Sequence, residues 1–239
     1  MPIEIKPIGY IKTPYKEKFA IPRQPGLATA AKGHIEFVDE FNSAEFFRGI
    51  EQFSHLWLIF QFHQTANKSA SPLVRPPRLG GNKKIGVFAS RSTHRPNNLG
   101  MSAVKLEGVN SDTGKLSLKV SGMDLLDNTP IIDIKPYVPY SDCVPDASAG
   151  YAQNKPEELL SVTFCESAAQ QMKALQNQYP DLRLLIEQIL SQDPRPAYHK
   201  GTPSERLYGV ELYEFNVQWR VTLQTCVVEN ISKISSKGR

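Results

Sequence analysis

The chain has 239 residues, of which 40% are hydrophobic, and this is enough to bury a substantial core. Its net charge of +4 is a modest total that hides an uneven distribution. The longest apolar run, residues 56–60, is far too short to cross a membrane, and the N-terminal residues lack a signal-peptide layout. Three cysteines and five histidines show no metal-ligand spacing. We therefore expect a reduced, cytoplasmic protein with no metal site and no membrane association.

The first 140 residues predict β-strands. Ile35 and Phe37 alternate with polar neighbours, which is the period of a strand with one buried face. Residues 56–62 are short, apolar and aromatic, and this predicts a strand buried on both faces. Many short strands separated by turn residues favour an antiparallel barrel or sandwich. The other predicted elements are strands at residues 83–90, 103–109 and 115–120, a hairpin turn at residues 110–114, and a short helix at residues 43–52.

The pattern changes after residue 140. Residues 141–156 are rich in Pro, Ser and Asp and predict a loop at a domain boundary. A capping-box sequence at residues 167–170 predicts the start of one helix, and Asp181, after the proline that ends it, predicts the start of another. The second helix has a predicted apolar stripe of Leu182, Leu185, Ile186 and Ile189, which is typical of core packing. Residues 208–228 return to strand alternation, with Phe215, Val217, Trp219 and Val221 on one face. We predict a main β-barrel domain at residues 1–140 and a smaller α+β C-terminal domain at residues 141–239.

One window of the chain is strongly basic. Between Gln52 and Leu106 there is no Asp or Glu, whereas acidic residues outnumber basic ones, 24 to 20, in the rest of the chain. Such a concentration predicts a positive surface that binds an anionic ligand or a nucleic acid, although a solvated face without a partner is the alternative. The window contains eight basic residues, Lys68, Arg75, Arg78, Lys83, Lys84, Arg91, Arg95 and Lys105.

Residues 91–102, which we call the arginine loop, are polar and lie between two predicted strands. Arg91 and Arg95 stand four apart in a segment whose backbone is shaped by Pro96 and Gly100. Core packing has no use for two arginines here, whereas a guanidinium group matches carboxylates and phosphates in two-point contacts. By itself the loop predicts an anion site.

Three carboxylates follow among apolar residues, at Asp124, Asp127 and Asp133. Because a buried carboxylate without a partner is costly, each should contact a basic group or a backbone amide. For Asp133 a salt bridge to Lys135 or an arginine and a functional role both remain open.

The glycine pattern disfavours two common nucleotide-binding architectures. No two glycines stand two apart, so no G-x-G turn can open a dinucleotide-binding helix. The spacing of Gly81 and Gly86 is similar to a phosphate loop, but Val87 stands where a lysine is needed.

The chain contains several separated blocks that are informative together, residues 14–19, 22–26, 53–57, 62–64, 74–81, 91–102, 124–140 and 193–198. These blocks resemble the TsaA/YaeB-like family of tRNA adenine N6-methyltransferases. The arginine loop departs from the family in one place, because Asn98 stands where the family usually has the second proline of Arg-Pro-Asn-Pro. Since asparagine tolerates turn geometry, we expect a slightly looser loop there.

The resemblance implies a homodimer that binds S-adenosylmethionine near the subunit interface. It also implies methyl transfer to N6 of N6-threonylcarbamoyladenosine, next to the anticodon of tRNA. Asp133 and His63 are our candidates for the group that accepts the N6 proton, and Arg75, Arg78, Arg95, Arg195 and Lys200 are our candidates for tRNA contact. The cofactor contacts implied by the family are Gln24, Pro25, Gly26, His63, Gln64, Arg91, Met101, Ser121, Gly122, Met123 and Asp124.

A second class of function is compatible with the basic window. An RNA-binding or S-adenosylmethionine-sensing module without catalysis would need the same positive surface. The cofactor-site blocks favour the enzyme, because a pure RNA binder has no need of a cofactor pocket.

Overall fold

The computed structural model describes residues 3–66, 69–80, 82–111, 114–156, 159–195 and 204–234. The strands are β1 Gly9–Lys12, β2 Lys32–Phe37, β3 His55–Gln61, β4 Leu73–Val74, β5 Ile85–Gly86, β6 Leu99–Asn110, β7 Ser117–Ser121, β8 Thr129–Pro136, β9 Ser161–Phe164, β10 Ser204–Leu212, β11 Phe215–Thr222 and β12 Thr225–Lys233. The α-helices are α1 Pro139–Asp142, α2 Glu166–Leu175 and α3 Leu182–Leu190.

Six of these strands close into an antiparallel barrel in the order β1-β2-β7-β6-β3-β8. The apolar residues at alternate positions point inward because successive side chains of a strand face opposite sides of the sheet. Ile35 and Phe37 of β2 are buried, as predicted, and so are Leu118 and Val120 of β7. The antiparallel pairing of β6 with β7 confirms the hairpin.

Strand β3 corrects one prediction. Leu56, Leu58 and Phe60 are buried, whereas Trp57 and Ile59 are only partly buried, so the strand buries one face and not two. The prediction was wrong because Trp57 and Ile59, on the outer face, are also apolar, and an unbroken apolar run does not show which face of a strand is covered.

Two predicted elements, the strand at residues 83–90 and the helix at residues 43–52, are shorter and less regular than expected. Residues 83–90 contain only the two-residue strand β5, which is followed by the 3-10 turn Val87–Ala89. The helix expected at residues 43–52 is two 3-10 turns, Ala44–Phe47 and Ile50–Gln52. Gly49 separates them with φ +86°, a left-handed conformation that no α-helix continues through.

The C-terminal region is a four-stranded sheet in the order β10-β11-β12-β9, in which β12 and β9 are parallel. Trp219 and its three neighbours on the predicted face of β11 are buried. Helix α3 has the predicted buried stripe, but α2 begins at Glu166 and its N-cap residue, Cys165, makes no side-chain capping bond. The capping-box prediction is therefore wrong in position. The whole chain is mainly β, as predicted.

The barrel and the C-terminal sheet are in direct contact. Tyr15 forms an antiparallel bridge with Leu212, and the Tyr213 amide donates to the Pro14 carbonyl at 2.8 Å. The ring of Phe19 stacks on Trp219 with centroids 6.0 Å apart. The segment between β1 and β2 is thus anchored in the barrel at its two ends and contacts the C-terminal sheet through Pro14, Tyr15 and Phe19. Within the described residues, no helix has both the length and the apolar character that membrane crossing requires.

Candidate active site

Residues 24–26, which we call the Gln24 turn, lie against the turn at Gly122. The Gly26 amide donates to the Gly122 carbonyl at 2.8 Å, and the Gly122 amide donates to the Ala31 carbonyl at 2.9 Å. Both glycines have positive φ, +75° and +74°, which L-residues with a side chain rarely adopt. A Cβ atom on Gly26 would meet no atom within 4 Å. Of the paired turns, Gly26 is exposed and Gly122 is buried beneath it, so the backbone open to a ligand is that of Gly26, next to Pro25 and Gln24.

Arg91 brings the arginine loop to the same place. Its Nη1 donates to Oε1 of Gln24 at 2.6 Å. Residues that stand 67 apart in sequence thus become neighbours. This hydrogen bond orients the guanidinium group of Arg91. Because Arg91 is exposed, the other N–H groups of the guanidinium are accessible to an anion.

Asp124 is the acidic member of the cluster. Ser102 Oγ donates to its Oδ1 at 2.6 Å. Burial raises the pKa of Asp124 to about 6, although the Ser102 hydrogen bond and the positive charge of Arg91 oppose the shift. A carboxyl group held at this cost beside a guanidinium is more typical of a ligand site than of a structural ion pair.

The other two carboxylates differ in burial, since Asp127 is partly buried and Asp133 is exposed. Asp127 accepts from the Thr13 amide at 2.9 Å and from Lys16 Nζ at 2.7 Å. Asp133 is exposed and accepts from the Ile134 amide at 2.8 Å. The predicted alternative for Asp133, a salt bridge, is not what the structure shows.

Strand register separates the candidates into two faces of the barrel wall. Ile59 of β3 pairs with Met101 on one side and with Asp133 on the other, so these three side chains line one strip of the outer surface. Met101 is 55% exposed on that strip. Ser102, the next residue along β6, is buried on the inner face and reaches Asp124.

Two candidates in the segment 121–124 have side chains engaged within the protein. Met123 is fully buried in the barrel core, so the residue presents no surface to a ligand. The Ser121 hydroxyl donates to Oε1 of Glu107 at 2.6 Å. The Gly122 amide and carbonyl are also hydrogen-bonded within the protein, so in this segment the group suited to a ligand is the Asp124 side chain.

His63 and Gln64 lie in the 3-10 turn His63–Thr65 that follows β3. This turn is joined to the arginine loop, because Thr65 Oγ1 donates to the Thr93 carbonyl at 3.2 Å. Partial burial, together with the charge of Lys18, lowers the pKa of His63 below its usual value. The imidazole is therefore neutral near pH 7 and has a nitrogen that can accept a proton.

Asn98 gives the arginine loop a path that proline cannot follow. Its φ is +51°, whereas the proline ring fixes φ near −65°. Its amide donates to the Arg95 carbonyl at 3.2 Å, and its carbonyl accepts from the Phe62 amide at 2.7 Å. The backbone of Asn98 is therefore hydrogen-bonded through both its amide and its carbonyl.

The predicted tRNA-contact residues differ in what they can offer. Arg75 is exposed, and Arg78 is exposed with Nη2 donating to the Asn154 carbonyl at 2.6 Å. Arg95 is partly buried and donates from Nη1 to the Ser90 carbonyl at 2.6 Å, which braces the loop.

Arg195 is 3% exposed and makes a two-point salt bridge with Asp193, at 2.7 and 2.9 Å. This position offers no surface to a phosphate, so the predicted tRNA contact of Arg195 is replaced by a structural role. Lys200 lies outside the described residues.

Two residues were missed at the sequence level. Ser102 occupies an inward position of β6 between apolar neighbours, and a hydroxyl at a core-facing position was a signal of a buried polar partner. Gln188 of α3 contacts the segment after the Gln24 turn, and its place in an apolar helix gave no such signal. Among the described residues, no three His, Cys, Asp or Glu side chains are grouped to hold a metal ion.

Known proteins are similar to the chain along most of its length. The family model of the tRNA-methyltransferase O N-terminal domain matches residues 10–143, and that of the TrmO C-terminal domain matches residues 157–234. The Escherichia coli (strain K12) tRNA (adenine(37)-N6)-methyltransferase is 50% identical over 219 residues, 92% of this chain and 93% of the relative.

A Pseudomonas aeruginosa relative with the name "Putative S-adenosylmethionine-dependent methyltransferase RcsF" is 51% identical over 216 residues, 90% of this chain and 91% of its own. A crystal structure of TrmO from Pseudomonas aeruginosa superposes with a TM-score of 0.81 at 41% identity, covering 97% of this chain and 99% of that one. The agreement extends over both the barrel and the C-terminal sheet, and the chain belongs to the tRNA-methyltransferase O family.

Proposed function

We propose that this protein transfers a methyl group from S-adenosylmethionine to N6 of an adenosine in tRNA. One observation carries the proposal for the site: Gln24, Gly26, Arg91, Gly122 and Asp124, from three separate segments, meet in a single cluster. Family membership supplies the reaction class, since the Escherichia coli relative is a tRNA (adenine(37)-N6)-methyltransferase.

The chemistry of this cluster suits S-adenosylmethionine. The methionyl end of the cofactor is a zwitterion beside a positively charged sulfur, so it needs a cationic group, an anionic group and room close to the backbone. Arg91 supplies the first and Asp124 the second. The open space beside Gly26 supplies the third.

The cofactor supplies an electrophilic methyl group on a sulfonium sulfur. The protein has to bind the cofactor, orient its methyl group towards N6 and shield it from water. Arg91, oriented by Gln24, pairs with the methionyl carboxylate. The Asp124 carboxylate attracts the positively charged end of the cofactor. Because Asp124 is partly buried, solvent screens this attraction only weakly. Methyl transfer moves the positive charge from sulfur to N6, and the charge then leaves with the N6 proton. Because no new net charge develops, positioning of the two reactants contributes more than stabilisation of a developing charge.

A proton must leave N6, and His63 and Asp133 remain our proposed acceptors. His63 is neutral near pH 7 because its pKa is lowered, so it is in the form that accepts a proton. Asp133 is an exposed carboxylate on the outer strip that also carries Met101. Steady-state turnover of His63→Ala and Asp133→Asn at saturating substrates decides between them, and native turnover in both variants removes both from the role.

The substrate base is N6-threonylcarbamoyladenosine beside the anticodon in this proposal. Its carbamoyl group acidifies the N6 proton, so a weak base is sufficient. An anticodon-loop base is accessible without melting a duplex, and the loop phosphates need a cationic surface. Arg75 and Arg78, with Lys83 and Lys84, are exposed and supply it.

We further propose that the protein works as a homodimer with the cofactor site near the subunit interface. Leu73 and Phe88 precede the arginine loop in sequence and Met101 lies near its end, and the exposed apolar side chains of all three have the character of a covered surface. Sedimentation velocity across a concentration series tests this, and a monomer at every concentration refutes it.

The decisive experiment is mass spectrometry of nucleosides from bulk tRNA incubated with the protein and methyl-labelled S-adenosylmethionine. Label on a threonylcarbamoylated adenosine supports the proposal. Arg91→Ala should abolish it, whereas Arg183→Ala, which removes an arginine paired with Glu187 on the surface of α3, should not. Calorimetric heat with S-adenosylmethionine but no labelled nucleoside would favour the sensing module, and no heat would reject a cofactor site.

A further inference from the structure

Helix α3 of the C-terminal region holds the segment that follows the Gln24 turn. Oε1 of Gln188 accepts from the Ala30 amide at 2.9 Å, and its Nε2 donates to Thr29 Oγ1 at 2.9 Å. The contact joins residues 158 apart in sequence. Close by, Gln192 Nε2 approaches the Leu27 carbonyl at 3.4 Å. A single amide group thus fixes two successive residues of the barrel region.

We call the hydrogen bonds of Gln188 to Thr29 and Ala30 the clamp. The clamp is connected to the candidate site through the peptide backbone and its hydrogen bonds. Ala30 is bonded to Gln188, and the next residue, Ala31, accepts from the Gly122 amide at 2.9 Å. Gly122 in turn accepts from the Gly26 amide at 2.8 Å. A backbone hydrogen-bond chain has few soft torsions, so a shift of Ala30 is passed to the paired glycines.

The segment that Gln188 holds is buried apart from Thr29. Ala28, Ala30 and Ala31 are at most 4% exposed, and their small side chains let this segment pack closely beneath α3. A buried Ala30 amide that lost its acceptor would be an unsatisfied donor, which costs more than the hydrogen bond contributes. The segment would then shift to find another acceptor, and the glycine pair would shift with it.

We propose that Gln188 is a positioning residue that couples the C-terminal region to the cofactor site. The inference rests on the proposed function, since it requires S-adenosylmethionine to bind beside Gly26 and Gly122. It gives the C-terminal region a role in cofactor binding that is separate from any contact with tRNA.

The test compares two glutamines that make the same kinds of hydrogen bond. Gln171 of α2 accepts from the Ile231 amide at 2.7 Å and donates to Asn230 Oδ1 at 2.9 Å, entirely within the C-terminal region. Gln188→Ala and Gln171→Ala therefore remove equivalent bonds, and only the first lies on the path to the site. Thermal unfolding of each variant verifies that it is folded.

We expect Gln188→Ala to weaken S-adenosylmethionine binding about tenfold by calorimetry, and Gln171→Ala to leave it unchanged. Gln188→Glu should restore most of the affinity, because a carboxylate still accepts from the Ala30 amide and from the Thr29 hydroxyl. If Gln188→Ala does not fold, Thr29→Val removes one of the two bonds at an exposed position and should give a smaller loss of the same kind.

The outcomes separate this inference from the proposed function. No binding by the wild-type protein refutes the proposed function. Wild-type binding with unchanged affinity in Gln188→Ala, or in Thr29→Val where Gln188→Ala does not fold, refutes the role of Gln188. An equal loss in Gln171→Ala also refutes it, because general loosening would then explain both.

Discussion

The raised pKa of Asp124 leads to a prediction about pH that distinguishes this residue from a carboxylate whose pKa is lowered, such as Glu107. A carboxyl whose pKa rises from 3.8 to about 6 on folding lowers stability by about 3 kcal/mol at high pH, at about 1.4 kcal/mol per pKa unit. The penalty is fully present above the folded-state pKa and disappears below the unfolded-state value. Stability should therefore rise as the pH falls, in contrast to a carboxylate that forms a strong ion pair.

Asp124→Asn provides the reference, since every other titrating group is common to both proteins. Relative to this variant, the wild-type protein should gain about 1.4 kcal/mol in unfolding free energy between pH 8 and pH 5. Urea unfolding at several pH values measures the difference. A difference that does not change with pH would show that the Asp124 pKa is not raised, and the argument from burial would fail.

The same titration should be visible in cofactor binding. The charged form of Asp124 attracts the positive sulfonium. Because protonation removes this attraction, affinity for S-adenosylmethionine should fall as the pH drops below about 6. Asp124→Asn should bind weakly with little pH dependence over that range. Ser102→Ala removes the hydrogen bond that favours the charged form and should move the fall in affinity to higher pH.

Three further predictions test the loop, the barrel wall and the basic surface. Asn98→Pro should cost about 3 kcal/mol in unfolding free energy, because proline cannot adopt φ +51° and loses the amide hydrogen bond; a neutral result would refute the loop geometry. Gly100→Ala would place Cβ 2.4 Å from an aromatic ring of β3 and should cost about 1–3 kcal/mol, whereas Gly86→Ala, with open space around it, should be near neutral. Arg75→Ala and Arg78→Ala should each lower the slope of log affinity for tRNA against log salt by about 1, in filter binding, and an unchanged slope would remove them from the interface.

Much of the architecture was predictable because it depends on local periodicity. Alternation of apolar and polar residues identified β2, β7 and β11, and the apolar stripe identified α3. Periodicity failed at β3, whose outer face is also apolar, and at residues 83–90, where a short strand gives way to a turn. In both places the outcome depends on what covers the segment, which periodicity does not report.

The candidate site was predictable in its residue types and not in its arrangement. Arg91 stood out in the arginine loop as suited to an anionic ligand, whereas Gly26 and Gly122 were implied only by the resemblance to the family. The bond from Arg91 to Gln24 and the bond from Ser102 to Asp124 depend on how the barrel closes. Strand register also placed Met101 and Ser102 on opposite faces of the wall, although they are neighbours in sequence.

The sequence by itself determined a mainly β chain, a concentrated basic window and an arginine loop suited to an anion, since these depend on composition and on neighbours along the chain. Only the tertiary structure decided that Arg195 is buried, that Asp124 carries a raised pKa and that Gln188 reaches Ala30. Burial and long-range hydrogen bonds are properties of the packed chain, because both depend on which distant segments exclude water from a given atom.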